Sequence, residues 1–285
     1  MSTEKNTAIL LIVCKDKPGL VAVISTFVAK HHGNIVYSDQ HTDVETNTFL
    51  MRVEWELDHF SLTREELDVE LLALAQQHQL QTQLYFSNQT CRAAIMVSKY
   101  QHCLYDLLVR IKLSEMNMAI PLIISNHKDL KAVAKHFDIP FEYIPVEDKN
   151  KAEEKQLGLL KKHNVDTVIL ARYMQILSDN FIQHYKNAII NIHHSFLPAF
   201  KGAKPYHQAY EKGVKIIGAT SHYVTKDLDM GPIIEQSVTR VTHSDRITDM
   251  IRKGRDQEKS ALAYAVRMHS ERRIITYYNK TVVFE

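Results

Sequence analysis

Asn191, His193 and Asp229 are the residues whose types and spacing suggest chemistry in this chain of 285 residues. Asn191 and His193 follow the apolar run Ala188-Ile189-Ile190 and stand two positions apart. On a strand both side chains then point one way and His194 the other. An amide NH2 beside an imidazole is suited to holding a carbonyl oxygen as it becomes an oxyanion. Asp229 lies in Lys226-Asp227-Leu228-Asp229-Met230-Gly231-Pro232, a tight Gly-Pro-bounded loop behind the strand-like stretch Ile216–Val224. A carboxylate there can reach His193 if both strands open on the same crevice. Spacing alone also fits a structural histidine and a turn aspartate, so the elements around these residues decide.

Those elements form two series. Residues 1–86 read strand, helix, strand, strand, helix, strand: Ala8–Val13, a helix with Leu20, Ile24, Phe27 and Val28 on one face, Ile35–Thr42, Phe49–Leu57, Thr63–His78 and Thr82–Phe86. Gly33 is placed to stop the first helix. This βαββαβ order is ferredoxin-like. Residues 87–91 are a polar linker, and residues 92–285 form a second domain. There, short apolar strands (Ala93–Val97, Ala119–Ser125, Phe141–Pro145, Thr167–Leu170, Ala188–Ile192) alternate with helical stretches such as Asp129–His136 and Ala152–Lys162. That rhythm predicts a mostly parallel sheet covered on both faces. In such sheets ligands bind outside the carboxyl ends of the strands, where Asn191 and His193 stand. A helix over Pro205–Lys212, a strand over Ile233–Val241, a long helix within Ser244–His269 and a last strand at Thr281–Phe284 complete the pattern.

The bulk chemistry excludes several classes. A formal charge of +2 gives no reason to expect a nucleic-acid partner. Cys14, Cys91 and Cys103 form no CxxC pair, which argues against a disulfide framework or zinc knuckle and for a cytoplasmic protein. The N-terminal apolar run is too short for a membrane span or a secretion signal. No metal is expected, because the adjacent pairs His31-His32 and His193-His194 diverge on a strand and no HExxH is present.

The string Asn191-Ile192-His193, Ser195-Phe196-Leu197-Pro198 and Leu228-Asp229-Met230-Gly231-Pro232 resembles the signature of the folate-dependent formyltransferases. Lys201–Ala209 and Ala171-Arg172-Tyr173-Met174-Gln175-Ile176-Leu177 are similar to the deformylase branch of that family, the second matching its pterin-pocket segment. Asp16-Lys17-Pro18-Gly19-Leu20-Val21-Ala22 resembles the first turn of an ACT domain. The resemblance covers nearly the whole chain. It implies an N-terminal ferredoxin-like βαββαβ (ACT) domain followed by a Rossmann-like, mostly parallel-sheet formyltransferase domain. It also implies Asn191, His193 and Asp229 as catalytic residues, and a folate pocket formed by Arg172, Tyr173, Met174, Ile176, Leu177, Val224, Thr225 and Asp227. Asp16, Gly19, Leu20 and Asn34 would meet an amino-acid effector, with glycine and methionine the first candidates by pathway logic.

Within the family the acceptor of the formyl group varies. The purine-synthesis transferases grip their acceptor's phosphate with a glycine-rich loop after the first strand of the catalytic domain, because backbone N–H groups must approach an anion closely. The corresponding segment here, Met96–Leu104, contains no glycine. That departure favours water over an amine, with 10-formyltetrahydrofolate as substrate, no cofactor, and formate and tetrahydrofolate released into one-carbon and purine metabolism. Delivery to an amine is the alternative. In Ser244–His269, Arg252, Lys253 and Arg255 interleave with Asp249, Asp256 and Glu258, a solvated face rather than an RNA surface. ACT pairing and the open sheet edge predict a homo-oligomer.

Overall fold

The computed structural model describes residues 6–199 and 205–285. Lys201–Lys204, part of the family-like string, lie outside the described residues. The chain divides into two compact units, residues 1–90 with 271–285, and residues 91–270.

The first unit contains β1 (Thr7–Lys15), α1 (Leu20–Lys30), β2 (Asn34–Asp43), β3 (Thr48–Glu56), α2 (Arg64–His78) and β4 (Gln81–Phe86). The strands form an antiparallel sheet of order β2-β3-β1-β4, as a βαββαβ module requires. The even positions of β1 (Ala8, Leu10, Ile12) and Met51, Val53 and Trp55 of β3 share one core with Leu20, Ile24 and Val28 of α1 and Leu67 and Leu71 of α2. Thr63 and Glu66 form a reciprocal capping box at the start of α2. At the end of α1, the left-handed position falls on His32 (φ 61°) rather than on Gly33. Gly33 is required for space, since a Cβ there would overlap Val28.

Residues 271–285 correct the expected boundary. They carry two strands, β12 (Ile274–Tyr277) and β13 (Lys280–Val283), in place of the single strand expected. Ile275 and Phe284 join Ile9, Leu11 and Leu50 on the sheet face opposite α1 and α2, so this tail belongs to the first unit and not to 92–285. Arg52, buried at the centre of β3, donates to the Arg272 carbonyl (3.1 Å) and to Glu54 (2.8 Å).

The second unit contains β5 (Cys91–Val97), α3 (His102–Lys112), β6 (Met118–Ser125), α4 (Lys131–His136), β7 (Phe141–Tyr143), α5 (Lys149–Lys162), β8 (Thr167–Leu170), α6 (Asp179–His184), β9 (Ile189–His193), α7 (Pro205–Glu211), β10 (Ile216–Tyr223), β11 (Ile233–Arg240) and α8 (Ile247–Ser270). Seven strands form one sheet of order β11-β10-β9-β8-β5-β6-β7. The five from β9 to β7 are parallel, and β10 and β11 are antiparallel to their neighbours. The central parallel strands β5 and β8 are almost wholly buried, as strands covered on both faces must be. β6 lies on one side of β5 and β8 on the other. The direction of winding therefore reverses between β5 and β8, where open α/β sheets place their ligand crevices.

Candidate active site

β9 delivers Asn191 and His193 to the carboxyl edge of the sheet, side by side as period-2 geometry requires. The antiparallel pairing with β10 sets His222 opposite Asn191 and Thr220 opposite His193. Thr220 then serves as a post for the loop that follows β9. Its hydroxyl accepts from the Leu197 N–H (3.0 Å) and donates to the Ser195 carbonyl (2.9 Å).

The β10–β11 loop carries Asp229 back over this edge. Gly231 permits the turn, because a Cβ there would overlap the Tyr223 carbonyl. Asp229 takes the left-handed region (φ 55°), which aspartate tolerates better than most residues. Its carboxylate lies 3.2 Å from Nδ1 of His193 and 3.7 Å from Nε2 of His222. Burial pushes the Asp229 carboxyl up, but the hydrogen bond from His193, with the His222 imidazole nearby adding to it, outweighs burial and holds the group well below the usual carboxylate range. Asp229 is therefore an anion at any physiological pH.

His222 is a functional candidate that spacing did not single out. It is buried, with Nδ1 2.9 Å from the Tyr223 carbonyl and Nε2 3.1 Å from Nδ2 of Asn191. A carbonyl only accepts, so Nδ1 carries a proton, and a lone pair on Nε2 is then placed to accept one N–H of Asn191. This fixes the amide's orientation and leaves its second N–H without a partner among the described residues. The same logic sets His193: Nδ1–H donates to Asp229, and buried Nε2 has no partner among the described residues.

The three residues expected from spacing thus converge on a cavity of about 230 Å³. Of the expected folate residues, Arg172, Tyr173, Met174, Ile176, Leu177, Val224 and Thr225 line it. Asp227 does not: it is exposed, and its carbonyl accepts from the Thr225 hydroxyl and the Met230 N–H, so it shapes the loop. His194 was expected to face away from His193, but both line the cavity, with ring centres 5.2 Å apart. β9 ends at His193, and strand alternation ends with it. Burial, with Arg172 and His193 adding, lowers the His194 imidazole to about 3, so it stays neutral. Behind the wall formed by residues 172–177, Gln156 of α5 donates to the Tyr173 hydroxyl (3.0 Å), and Glu153 accepts from the Ser178 N–H and hydroxyl.

In the first unit, Gly19 (φ 89°) opens α1 without a side-chain cap, and Leu20 is buried beneath it. The Asp16 N–H donates to the Asn47 carbonyl, and Asn34 starts β2 with its amide 3.3 Å from Glu56.

A crevice at the carboxyl edge of a mostly parallel sheet, with an amide donor and an aspartate-oriented imidazole at its end, defines an acyl-transfer domain of the formyltransferase type. The formyl transferase family model matches residues 91–266, and the ACT domain model matches residues 8–72. A formyltetrahydrofolate deformylase of Synechocystis sp. is 54% identical over 280 residues, with 98% of each chain covered. One of Bacillus subtilis is 44% identical, covering 96% of this chain and 93% of that protein. The crystal structure of a formyltetrahydrofolate deformylase from Pseudomonas syringae pv. tomato superposes with a TM-score of 0.97 at 43% identity, covering 100% of this chain and 96% of that one. The chain belongs to the formyltetrahydrofolate deformylase family.

Among the described residues, no helix is long and apolar enough to cross a membrane.

Proposed function

We propose that this protein hydrolyses 10-formyltetrahydrofolate to formate and tetrahydrofolate, with Asn191, His193 and Asp229 as its catalytic residues. The observation that carries this reading is the buried His193 Nε2, without a partner among the described residues, beside the Asn191 amide on the lining of a largely apolar cavity. The pterin lies along residues 172–177, with Val224 and Thr225 on the facing wall, and the formyl group reaches Asn191 and His193. Water attacks the formyl carbon while His193 Nε2 takes its proton, and Asp229 stabilises the imidazolium that forms. The carbonyl oxygen becomes an oxyanion held by the free Asn191 N–H. As the C–N bond breaks, the imidazolium returns its proton to the departing nitrogen. All atoms come from folate and water, so the scheme calls on no cofactor.

The test is acceptor-free turnover. Purified protein with 10-formyltetrahydrofolate alone should release one formate per tetrahydrofolate. Release only after an amine is added would replace this reading with formyl transfer.

The N-terminal unit is proposed to sense a small amino acid, glycine or methionine, through Asp16, Gly19, Leu20 and Asn34, within a homo-oligomer. Titration calorimetry that finds no heat with either amino acid at millimolar concentration would remove both. Three buried cysteines outside any disulfide suit the reducing cytoplasm where folate pools turn over.

A further inference from the structure

The topological switch point between β5 and β8 is closed by side chains. Ser98, just past β5, donates its N–H to the Arg172 carbonyl (3.3 Å), and its hydroxyl accepts from the Met174 N–H (3.0 Å). Arg172, just past β8, is buried and held at φ 64°, a conformation costly for a residue with a long side chain. Its guanidinium carbon lies 5.1 Å from the centre of the Tyr100 ring, and its Nε 3.5 Å from Glu258 of α8. Glu258 is anchored in turn by His102 Nε2 (2.7 Å) and the Tyr206 hydroxyl (2.9 Å). Tyr100 and Glu258 thus flank one cationic side chain that also lines the cavity holding Asn191 and His193, with His102 of α3 and Tyr206 of α7 fixing Glu258 from behind.

This cluster is not built for a metal ion, although His102, Cys103 and Glu258 bring ligand atoms within 4.8 Å of one another. Both Glu258 oxygens are taken by hydrogen bonds, and a guanidinium already supplies the positive charge. The Cys103 thiol, pushed up by burial and by the charge of Glu258, keeps its proton.

We propose that Arg172, clamped between Tyr100 and Glu258, fills the second-substrate side of the crevice, excludes amine acceptors from the formyl carbon, and so leaves water as the acceptor. This rests on the hydrolase reading above and names what enforces it. The sheet offers the crevice by its topology, and a left-handed arginine is strained into it where glycine would sit without strain. Arg172 is thus a specificity-determining residue as well as a wall of the folate cavity.

The test is the fate of the formyl group in each turnover, which does not depend on how fast the variant works. Wild type, Arg172→Gly and Glu258→Gln are given 10-formyltetrahydrofolate with millimolar glycinamide. Formate and N-formylglycinamide are then counted against an enzyme-free control. Wild type should yield formate alone. Arg172→Gly, which relaxes the backbone and empties the space, should raise the formylated fraction by about tenfold or more. Glu258→Gln keeps the volume but removes the charge that holds the guanidinium, and should raise the fraction less. Unchanged partition in both variants overturns the proposal. So does loss of both products in Arg172→Gly, which would make the arginine a folate ligand and nothing else. Wild type releasing no formate without glycinamide would sink the hydrolase reading instead.

Discussion

Asp229→Asn isolates the charge behind His193. Asparagine is nearly isosteric and tolerates the left-handed conformation seen at φ 55°, so the loop keeps its shape. The amide oxygen still accepts from His193 Nδ1, but the imidazolium formed during water attack loses its counter-ion. At the observed 3.2 Å, an opposite charge in a medium of effective dielectric about 20 contributes about 5 kcal/mol. Asp229 retains 15% side-chain exposure, so part of that is screened, and a loss of about 3–5 kcal/mol is expected. At about 1.36 kcal/mol per decade, kcat should fall by about 10²–10⁴, the range of a general acid–base group. Acceptor-free formate release under single-turnover conditions measures it, alongside folate affinity by fluorescence titration. Unchanged affinity with the rate loss supports the scheme. A kcat within about tenfold of wild type would show that His193 works without its aspartate, and the proton route through Nε2 would have to be abandoned.

Asn191→Ala should lower kcat by about 10²–10³ with little change in KM, since its free N–H acts on the developing oxyanion; a KM effect alone would make it a binding residue. His194→Asn should flatten the acid side of the stability curve. Unfolded His194 takes a proton near pH 6.5 and the folded residue not until about 3, so falling pH favours unfolding across that window. The wild type should lose up to about 1.4 kcal/mol per pH unit there through this residue, and parallel melting curves in the variant would refute it. Gly254→Ala would stabilise an open helix by about 1 kcal/mol. Here the added Cβ overlaps the Tyr206 hydroxyl, so the melting temperature should fall, with a cost of about 1–3 kcal/mol. Adding Tyr206→Ala should reverse the sign, and a stabilising effect in the wild-type background would contradict the packing.

Asn191 and His193 were legible because a parallel strand leaves its last residues at a sheet edge, and Asp229 because a Gly-Pro-bounded loop follows the neighbouring strand. His222 was not, because its role comes from its pairing opposite Asn191, and cross-strand register is invisible along a single strand. His194 was misread for a local reason: alternation holds only within a strand, and β9 ends one residue earlier. The glycine-free stretch after β5 was legible as something missing. What occupies that space was not, since Tyr100, Arg172, Tyr206 and Glu258 come from segments far apart in the chain. Of the tail hairpin only the last strand was legible; β12 and the tail's place on the first unit escaped because strands of four residues carry little periodicity and the packing partners on β1 and β3 are more than 200 residues away.

That hairpin gives the first unit a schedule. Its sheet is synthesised by residue 86, yet Ile9, Leu11 and Leu50 await cover from Ile275 and Phe284, which are translated only after the whole 91–270 span. At about 5–20 residues per second the wait is on the order of ten to forty seconds. During it, the nascent chain carries a naked apolar sheet face of the kind that chaperones hold and aggregates nucleate on. A gene truncated after the last helix would make that interval permanent.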